Sequence, residues 1–267
     1  MTGFVIVAIA IGVVILAGWL HSKRRKEARR AVLAMSLDDN SRALLREYMP
    51  LFDRVPEEFR PRLEGLMQMF LHELSFEACG DLHGVTEEMR LVISAQACLL
   101  LLASGYEDYG RLRSVLVYPD AYRAHDKEEG SSVRLGESWG TGSVVLAWKS
   151  VRQGAVNIED GHNVVLHEFA HQLDQASGAA DGLPKLKARG DYQSWAEAFK
   201  RSYDVLCDRV NKGQKTVMDP YGATNPAEFF AVATETFFEK PAQLLEDHGD
   251  VYRELKRFYG LDPVIWR

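Results

Sequence analysis

The chain has 267 residues, of which 46% are hydrophobic and 26% are charged, and it contains only three cysteines. These values exclude a disordered tail, a collagen-like fibre and a disulfide-stapled mini-protein. The formal net charge of −6 is modest, but it is unevenly distributed along the chain.

The charge distribution separates an N-terminal segment from the rest of the chain. Residues 1–20 carry no charged side chain, residues 21–30 carry a local charge of +5, and the remainder carries −11. A helix over the apolar residues 1–20 spans about 30 Å, the thickness of a bilayer's hydrocarbon core. A cleavable signal peptide is the alternative, but its positive charges precede the apolar run instead of following it. We therefore predict a transmembrane anchor over residues 1–22.

The basic cluster predicts how this anchor is oriented. Lysines and arginines that flank a membrane span stay on the cytoplasmic side. Three cysteines at distant positions agree with a reducing compartment. We expect a single-pass protein of the cell membrane, with a basic juxtamembrane segment and linker over residues 23–42 and a cytoplasmic domain over residues 43–267.

The first part of this domain, residues 43–105, has a helical pattern of apolar residues. The run 86–103 begins with a threonine suited to cap a helix and has acidic residues in its first turn. Its end is apolar on nearly every face, which predicts a central core helix.

The second part, residues 106–267, begins with strand patterns and returns to helices. Residues 114–118 and 143–148 are short β-branched and aromatic runs, and the polar stretch between them predicts a hairpin or a mobile loop. Helices before and after a small sheet indicate an α+β domain that is mostly helical. The strand over residues 143–148 is our candidate edge for binding an extended peptide as an added strand.

A metal-binding pattern lies inside a predicted helix. Residues 167–171 read His-Glu-Phe-Ala-His, and residues four apart share one face of a helix. His167 and His171 can therefore bind one Zn²⁺, while Glu168 can accept a proton from a water that the ion activates. This arrangement is typical of metallopeptidases. The alternative is a helix with two ordinary polar histidines.

A catalytic zinc site requires a third protein ligand, and the sequence offers several glutamates. No histidine follows within residues 172–180, so we consider Glu228, Glu235 and Glu239 in the later helical run. Asn225 followed by proline predicts the start of that helix, and Glu228 could instead be the carboxylate of a capping box.

The residues alone leave Glu228 and Glu235 as equal candidates for the third ligand. They lie two turns apart on one helical face, so one could bind the ion while the other orients a ligand histidine. Asp174, three residues after His171, is a further candidate for that orienting role, or an ordinary acid near a helix end.

Three segments, GESWGTGSVVLAW, HEFAHQLD and YGATNPAEFFAVATETFFEKP, together resemble the Mlc titration factor A family of zinc-dependent peptidases. The resemblance implies a zincin-like domain with Glu228 as the third zinc ligand. It also implies that Tyr221 stabilises the oxyanion of the reaction.

The resemblance and the motif together predict a membrane-anchored zinc peptidase that acts on peptides or proteins. The alternative is a tethered binding module for a regulatory protein, because the family is also linked to sequestering a transcriptional repressor. Outside residues 21–30, no basic run suggests a nucleic-acid partner.

Overall fold

The structure, a computed structural model, describes residues 2–110, 112–126, 130–134, 136–139 and 142–266. Within these ranges, the side chains of residues 2–14, 107, 122–126, 130–134 and 139 are not described. The described chain is mostly helical with a small mixed sheet, as the α+β prediction requires.

The helices are numbered in chain order. They are α1 (Thr2–Leu33), α2 (Asp39–Tyr48), α3 (Leu51–Arg54), α4 (Arg60–Glu73), α5 (Glu87–Leu99), α6 (Trp148–Val156), α7 (Val164–Gln175), α8 (Asp191–Asn211), α9 (Pro226–Glu239), α10 (Pro241–Asp247) and α11 (Gly249–Tyr259). Short 3₁₀ turns cover Tyr106–Tyr109, Pro220–Ala223 and Pro263–Ile265. The strands are β1 (Ser75–Ala78), β2 (Ser114–Tyr118), β3 (Tyr122–Asp126), β4 (Gly130–Arg134), β5 (Gly136–Trp139) and β6 (Ser143–Ala147).

The main sheet has four strands in the order β1-β2-β6-β5. β1, β2 and β6 run parallel, and β5 pairs antiparallel with β6. The predicted strands at 114–118 and 143–148 are confirmed, and β3 and β4 form the antiparallel pair expected of a hairpin. Residues 127–129, 135, 140 and 141 of that predicted stretch lie outside the described residues.

The prediction that residues 143–148 form a sheet edge is wrong. β6 is bonded to β2 on one side and to β5 on the other, so its backbone groups are used within the sheet. Among the described strands, β5 and β1 form the two edges. An extended peptide could therefore add to β5 but not to β6.

The N-terminal helix α1 runs without a break through the basic cluster to Leu33. Its end packs on α4, where the Leu33 carbonyl oxygen would lie 2.1 Å from a Cβ added at Gly65. Glycine at position 65 therefore permits this close approach. Arg29 adds a bidentate ion pair to Glu73, with both N–O distances 2.6 Å.

The structure does not support the membrane-spanning helix predicted over residues 1–22. A search of the described residues finds no helix of the length and apolarity that a bilayer crossing requires. The side chains of residues 1–14, which make up most of the predicted span, are not described.

The core helices position the elements that carry the candidate site. The central core helix predicted over 86–103 is α5, which Thr86 caps by accepting the Met89 N–H at 3.2 Å. α9 is buried at nearly every position after its first turn, and α7 packs against it. The histidines of α7 contact two carboxylates of α9, which brings positions about 60 residues apart into one site.

Candidate metal centre

The helix α7 presents the two histidines of the HExxH pattern on one side. Asn163 caps its start, because the Asn163 side-chain oxygen accepts the N–H groups of Val165 and Leu166 at 3.1 and 3.0 Å. The apolar residues of α7 are buried in the core, and its two histidines contact carboxylates of α9. The ring centroids of His167 and His171 lie 4.9 Å apart.

Glu228 lies in the first turn of α9, beside both imidazoles. Asn225 caps this helix as predicted, accepting the Glu228 N–H at 3.0 Å. The Glu228 carboxylate does not close a capping box. Its Oε2 instead lies 2.9 Å from His167 Nε2 and 3.3 Å from His171 Nε2.

These three side chains have the spacing of a metal site. The two Nε2 atoms are 3.2 Å apart, and the three residues form a group that could hold a metal ion. Ligand atoms about 2.0–2.1 Å from a tetrahedral zinc ion are separated by about 3.3 Å, close to the three distances observed. His167, His171 and Glu228 therefore fit Zn²⁺ in both donor type and spacing.

Glu235 and Glu239 have different partners. Glu235 Oε1 lies 2.7 Å from His167 Nδ1, and its Oε2 accepts the backbone N–H of Asn163. Glu239 accepts hydrogen bonds from the Asn163 side chain at 2.9 Å and from the Gly161 N–H at 3.1 Å. Glu235 thus contacts the ring nitrogen of His167 that faces away from Glu228, and Glu239 contacts the cap residue of α7.

The electrostatics of the group favour a positive charge at its centre. Burial alone would lower the pKa of His167, but Glu235 and Glu228 outweigh burial and raise this pKa well above its ordinary value. Burial alone would raise the pKa of Glu228, but the two imidazoles hold it well below its usual range. A buried pair of histidines and carboxylates that attracts a proton in this way also suits a divalent cation.

Glu168 lies next to the group and is almost fully buried, with 7% of its surface exposed. Burial raises the pKa of Glu168 to about 7, against the opposing effect of the two imidazoles. A carboxyl group with a pKa near the working pH exchanges protons readily in both directions.

Tyr221 lies in the turn that precedes α9, with its ring centroid 6.0 Å from that of His167. Its side chain is 54% exposed, so the ring borders the site from the solvent side. Asp219 fixes this turn by accepting the Tyr221 N–H at 2.6 Å and by pairing with His162 Nδ1 at 3.0 Å. Because His162 lies just before the cap of α7, the pair joins the tyrosine turn to the metal-binding helix.

Asp174 is fully buried, but its observed partner is a loop. Its Oδ2 accepts the Gly182 N–H at 2.7 Å, and its Oδ1 has no hydrogen-bond partner among the described residues. Burial raises the pKa of Asp174 to about 6. In the described part of the chain, no hydrogen bond joins Asp174 to His171. Asp174 instead holds the loop at Gly182.

Sequence reasoning missed the contacts between β5 and α7. A Cβ added to Gly136 would lie 2.6 Å from Glu168 Oε1, so β5 passes directly over the proposed base. Gln172 and Gln175 donate to the Ser138 hydroxyl at 2.6 and 3.1 Å. The polar residues after the HExxH pattern could have indicated such a contact. Their partner Ser138 could not be identified from sequence, because the position of β5 depends on how the strands pair.

Comparison with known proteins gives a match to a family model and to several relatives. The family model described as glucose-regulated metallo-peptidase M90 matches residues 21–260. An uncharacterized protein of Synechocystis sp. is 42% identical over 256 residues, which cover 92% of this chain and 91% of that protein. The Mlc titration factor A of Pectobacterium atrosepticum is 32% identical over 81% of this chain and 84% of its own length. That of Serratia proteamaculans is 31% identical over 81% and 85%.

Proposed function

The chain belongs to the glucose-regulated metallo-peptidase M90 family, and we propose that it is a zinc-dependent peptidase that hydrolyses peptide bonds. The resemblance drawn from the three sequence motifs is confirmed by this membership and by the relatives named Mlc titration factor A. The observation that carries the proposal is the convergence of His167, His171 and Glu228 beside the buried Glu168.

In the proposed reaction, His167, His171 and Glu228 hold the ion. When bound, zinc would act as a Lewis acid towards the oxygen atoms of the peptide carbonyl and of the attacking water. Glu168 accepts the proton of that water and then passes it to the leaving amine. Burial raises the pKa of Glu168 in the metal-free protein, which favours its taking up a proton.

Tyr221 is proposed to donate its hydroxyl hydrogen to the developing oxyanion. A donor of this kind contributes about 3–4 kcal/mol to the stability of the transition state. Its position on the solvent side of His167 supports a substrate site between the tyrosine turn and α7.

The edge strand β5 is the proposed support for an extended substrate. It starts at Gly136, next to Glu168, and a peptide added beside it would run past the proposed base. The side chains of Gln172 and Gln175 donate hydrogen bonds to Ser138 of this strand. These bonds hold β5 at a fixed distance from α7.

The test is peptide hydrolysis by the zinc-loaded full chain, measured with a broad peptide library. Glu168→Gln should abolish cleavage and retain one equivalent of zinc, because the amide cannot carry the proton. Glu246→Gln, on the exposed face of α10, is the matched control and should keep full activity. Full hydrolytic activity in Glu168→Gln would refute the mechanism.

The name of the relatives supports a second proposal, that the chain binds a regulatory protein and that catalysis is secondary. Two of the relatives described above carry the name Mlc titration factor A. Stoichiometric zinc binding without cleavage of any library peptide would favour this proposal or a non-proteolytic zinc hydrolase over the peptidase.

We further propose that residues 1–22 attach the chain to the cell membrane and leave the peptidase domain in the cytoplasm. The support is the uncharged run at residues 1–20 and the basic cluster after it. The full chain should stay with membranes through an alkaline carbonate wash, and a protease added outside the cell should leave the domain intact. Release of the chain by the wash would contradict the anchor.

A further inference from the structure

A cavity lies away from the candidate metal-binding residues, on the side of the domain where α1 packs. It has a volume of about 540 Å³ and lies between α1, the end of α4 and the 3₁₀ turn Tyr106–Tyr109. This volume is typical of cavities that bind small molecules. None of the proposed metal ligands or catalytic residues lines it.

The polar lining of this cavity is mostly basic, in a chain with a net charge of −6. The charged and polar lining residues include Arg25, Arg29, His72, Glu73, Tyr106 and Arg113. Glu73 is the single carboxylate among the described residues of the lining, and the bidentate pair with Arg29 involves both of its oxygens.

Among the described residues, two arginine side chains of this lining have no carboxylate partner. Within that part of the chain, Arg113 donates to backbone carbonyl oxygens, those of Leu112 at 2.7 Å and of Gly110 at 3.4 Å. In the described part of the chain, Arg25 forms no ion pair of 4.0 Å or less. Two guanidinium groups that share one cavity repel each other unless an anion binds between them. A planar guanidinium offers the paired N–H groups that suit phosphate oxygens.

Tyr106 adds a neutral donor to the same wall. Burial raises the pKa of its hydroxyl well above the ordinary value, so the hydroxyl keeps its hydrogen. Within the described residues we find no hydrogen-bond partner for this hydroxyl. Tyr109, Val32 and Leu112 supply an apolar part of the lining, which suits the carbon part of an organic ligand.

We propose that this cavity binds a phosphomonoester, with Arg25 and Arg113 contacting the phosphate group and Tyr106 donating a hydrogen bond to it. The charge of the phosphate matches the two unpaired guanidinium groups, which a singly charged carboxylate would only half neutralise. A free metabolite and the headgroup of a phospholipid both carry this chemistry.

The experiment measures binding of two probes to the zinc-loaded full chain, kept in detergent for the soluble probe and freed of detergent for the vesicle probe. One probe is glycerol 3-phosphate, followed by titration calorimetry. The other is phosphatidic acid in phosphatidylcholine vesicles, followed by co-sedimentation against pure phosphatidylcholine vesicles. Binding of glycerol 3-phosphate assigns the site to a soluble ester, and binding of the phosphatidic acid vesicles alone assigns it to a lipid headgroup.

The variants distinguish binding in the cavity from general electrostatic attraction to the basic segment. Arg25→Gln and Arg113→Gln should each weaken binding of the effective probe at least about tenfold, the loss expected for a charge-assisted hydrogen bond. Arg30→Gln removes the same charge from an exposed position of α1 outside the cavity, and it should bind like the wild type. Tyr106→Phe removes one oxygen without a charge change and should weaken binding several-fold, with an unchanged melting temperature of the ligand-free protein.

Two results would overturn the proposal. One is the absence of binding to both probes. The other is an equal loss of binding in Arg25→Gln and Arg30→Gln, which would show attraction to the whole basic segment. Peptide hydrolysis is not part of this measurement, so the outcome does not depend on the proposed peptidase activity.

Discussion

Glu235 Oε1 lies 2.7 Å from His167 Nδ1, and this contact selects which nitrogen of the imidazole can bind a metal. A carboxylate oxygen accepts a hydrogen bond, so Nδ1 carries the hydrogen and the lone pair is on Nε2. Nε2 is the atom that faces His171 and Glu228. The other oxygen of Glu235 accepts the backbone N–H of Asn163, so one carboxylate orients the ligand and holds the start of its helix.

Replacement of Glu235 is expected to weaken zinc binding without removing a ligand. Glu235→Ala should lower the affinity for zinc by about 10–100-fold, the usual effect of losing the partner of a ligand histidine. Glu228→Ala should lower it much more, because a ligand atom is lost. Competition with a chromophoric chelator measures both affinities, with Glu246→Gln as the control. A larger loss in Glu235→Ala than in Glu228→Ala would reverse the assignment of the third ligand.

The part of the site that lies on one helix was predictable from sequence, and the contacts between elements were not. The i, i+4 spacing puts His167 and His171 on one face of α7 with no further information. Glu228 and Glu235 could not be separated from spacing, because their roles depend on how α9 packs against α7. The helix register seen here points Glu228 at both Nε2 atoms and Glu235 at the far side of His167.

The same reasoning explains the errors in the sheet. Residues 75–78, which form β1, are mostly exposed and show no alternating pattern, so no strand was predicted there. β6 was predicted as an edge because strand order depends on pairing between distant segments, and its pairing with β5 was not foreseen. The strand patterns at 114–118 and 143–148 were recognised because these strands are central and rich in buried β-branched residues.

A methyl group at position 136 should disturb the proposed base. Gly136→Ala would place a Cβ 2.6 Å from Glu168 Oε1 and 2.7 Å from Val164 Cγ2, so either the carboxylate or the strand must move. We expect the kcat for peptide hydrolysis to fall at least about tenfold, as for other small displacements of catalytic groups, with the zinc content unchanged. Gly84→Ala is the control, since a Cβ there meets nothing within 4 Å. Equal activities of the two variants would show that β5 does not constrain Glu168.

The tyrosine turn should affect the rate and not the zinc content. Tyr221→Phe is expected to lower kcat by about 10²–10³-fold, as for the loss of one oxyanion donor, with little change in KM. Asp219→Asn should give a smaller loss, because the amide oxygen can still accept the Tyr221 N–H while the charge that pairs with His162 is removed. Single-turnover rates and zinc analysis check both variants. A loss of zinc in Tyr221→Phe, or a change in KM alone, would contradict the oxyanion role.

The buried carboxyl group of Asp174 should make the stability of the metal-free protein depend on pH. Burial raises its pKa from 3.8 to about 6, so between these values the folded state holds a proton that the unfolded state has released. The free energy of unfolding contributed by this group is therefore fully present below pH 3.8 and is lost as the pH rises through 6. The whole change is on the order of 3 kcal/mol. Asp174→Asn keeps an oxygen for the Gly182 N–H and removes the titration.

Urea unfolding across this pH range, with a chelator present, measures the effect. The difference in unfolding free energy between Asp174→Asn and the wild type should shift in favour of the variant as the pH rises from 4 to 6, and it should level off above. Asp81→Asn, at an exposed position, is the control and should follow the wild type at every pH. A difference between Asp174→Asn and the wild type that stays constant with pH would show that Asp174 is ionised throughout the range, with its charge stabilised by the Gly182 loop.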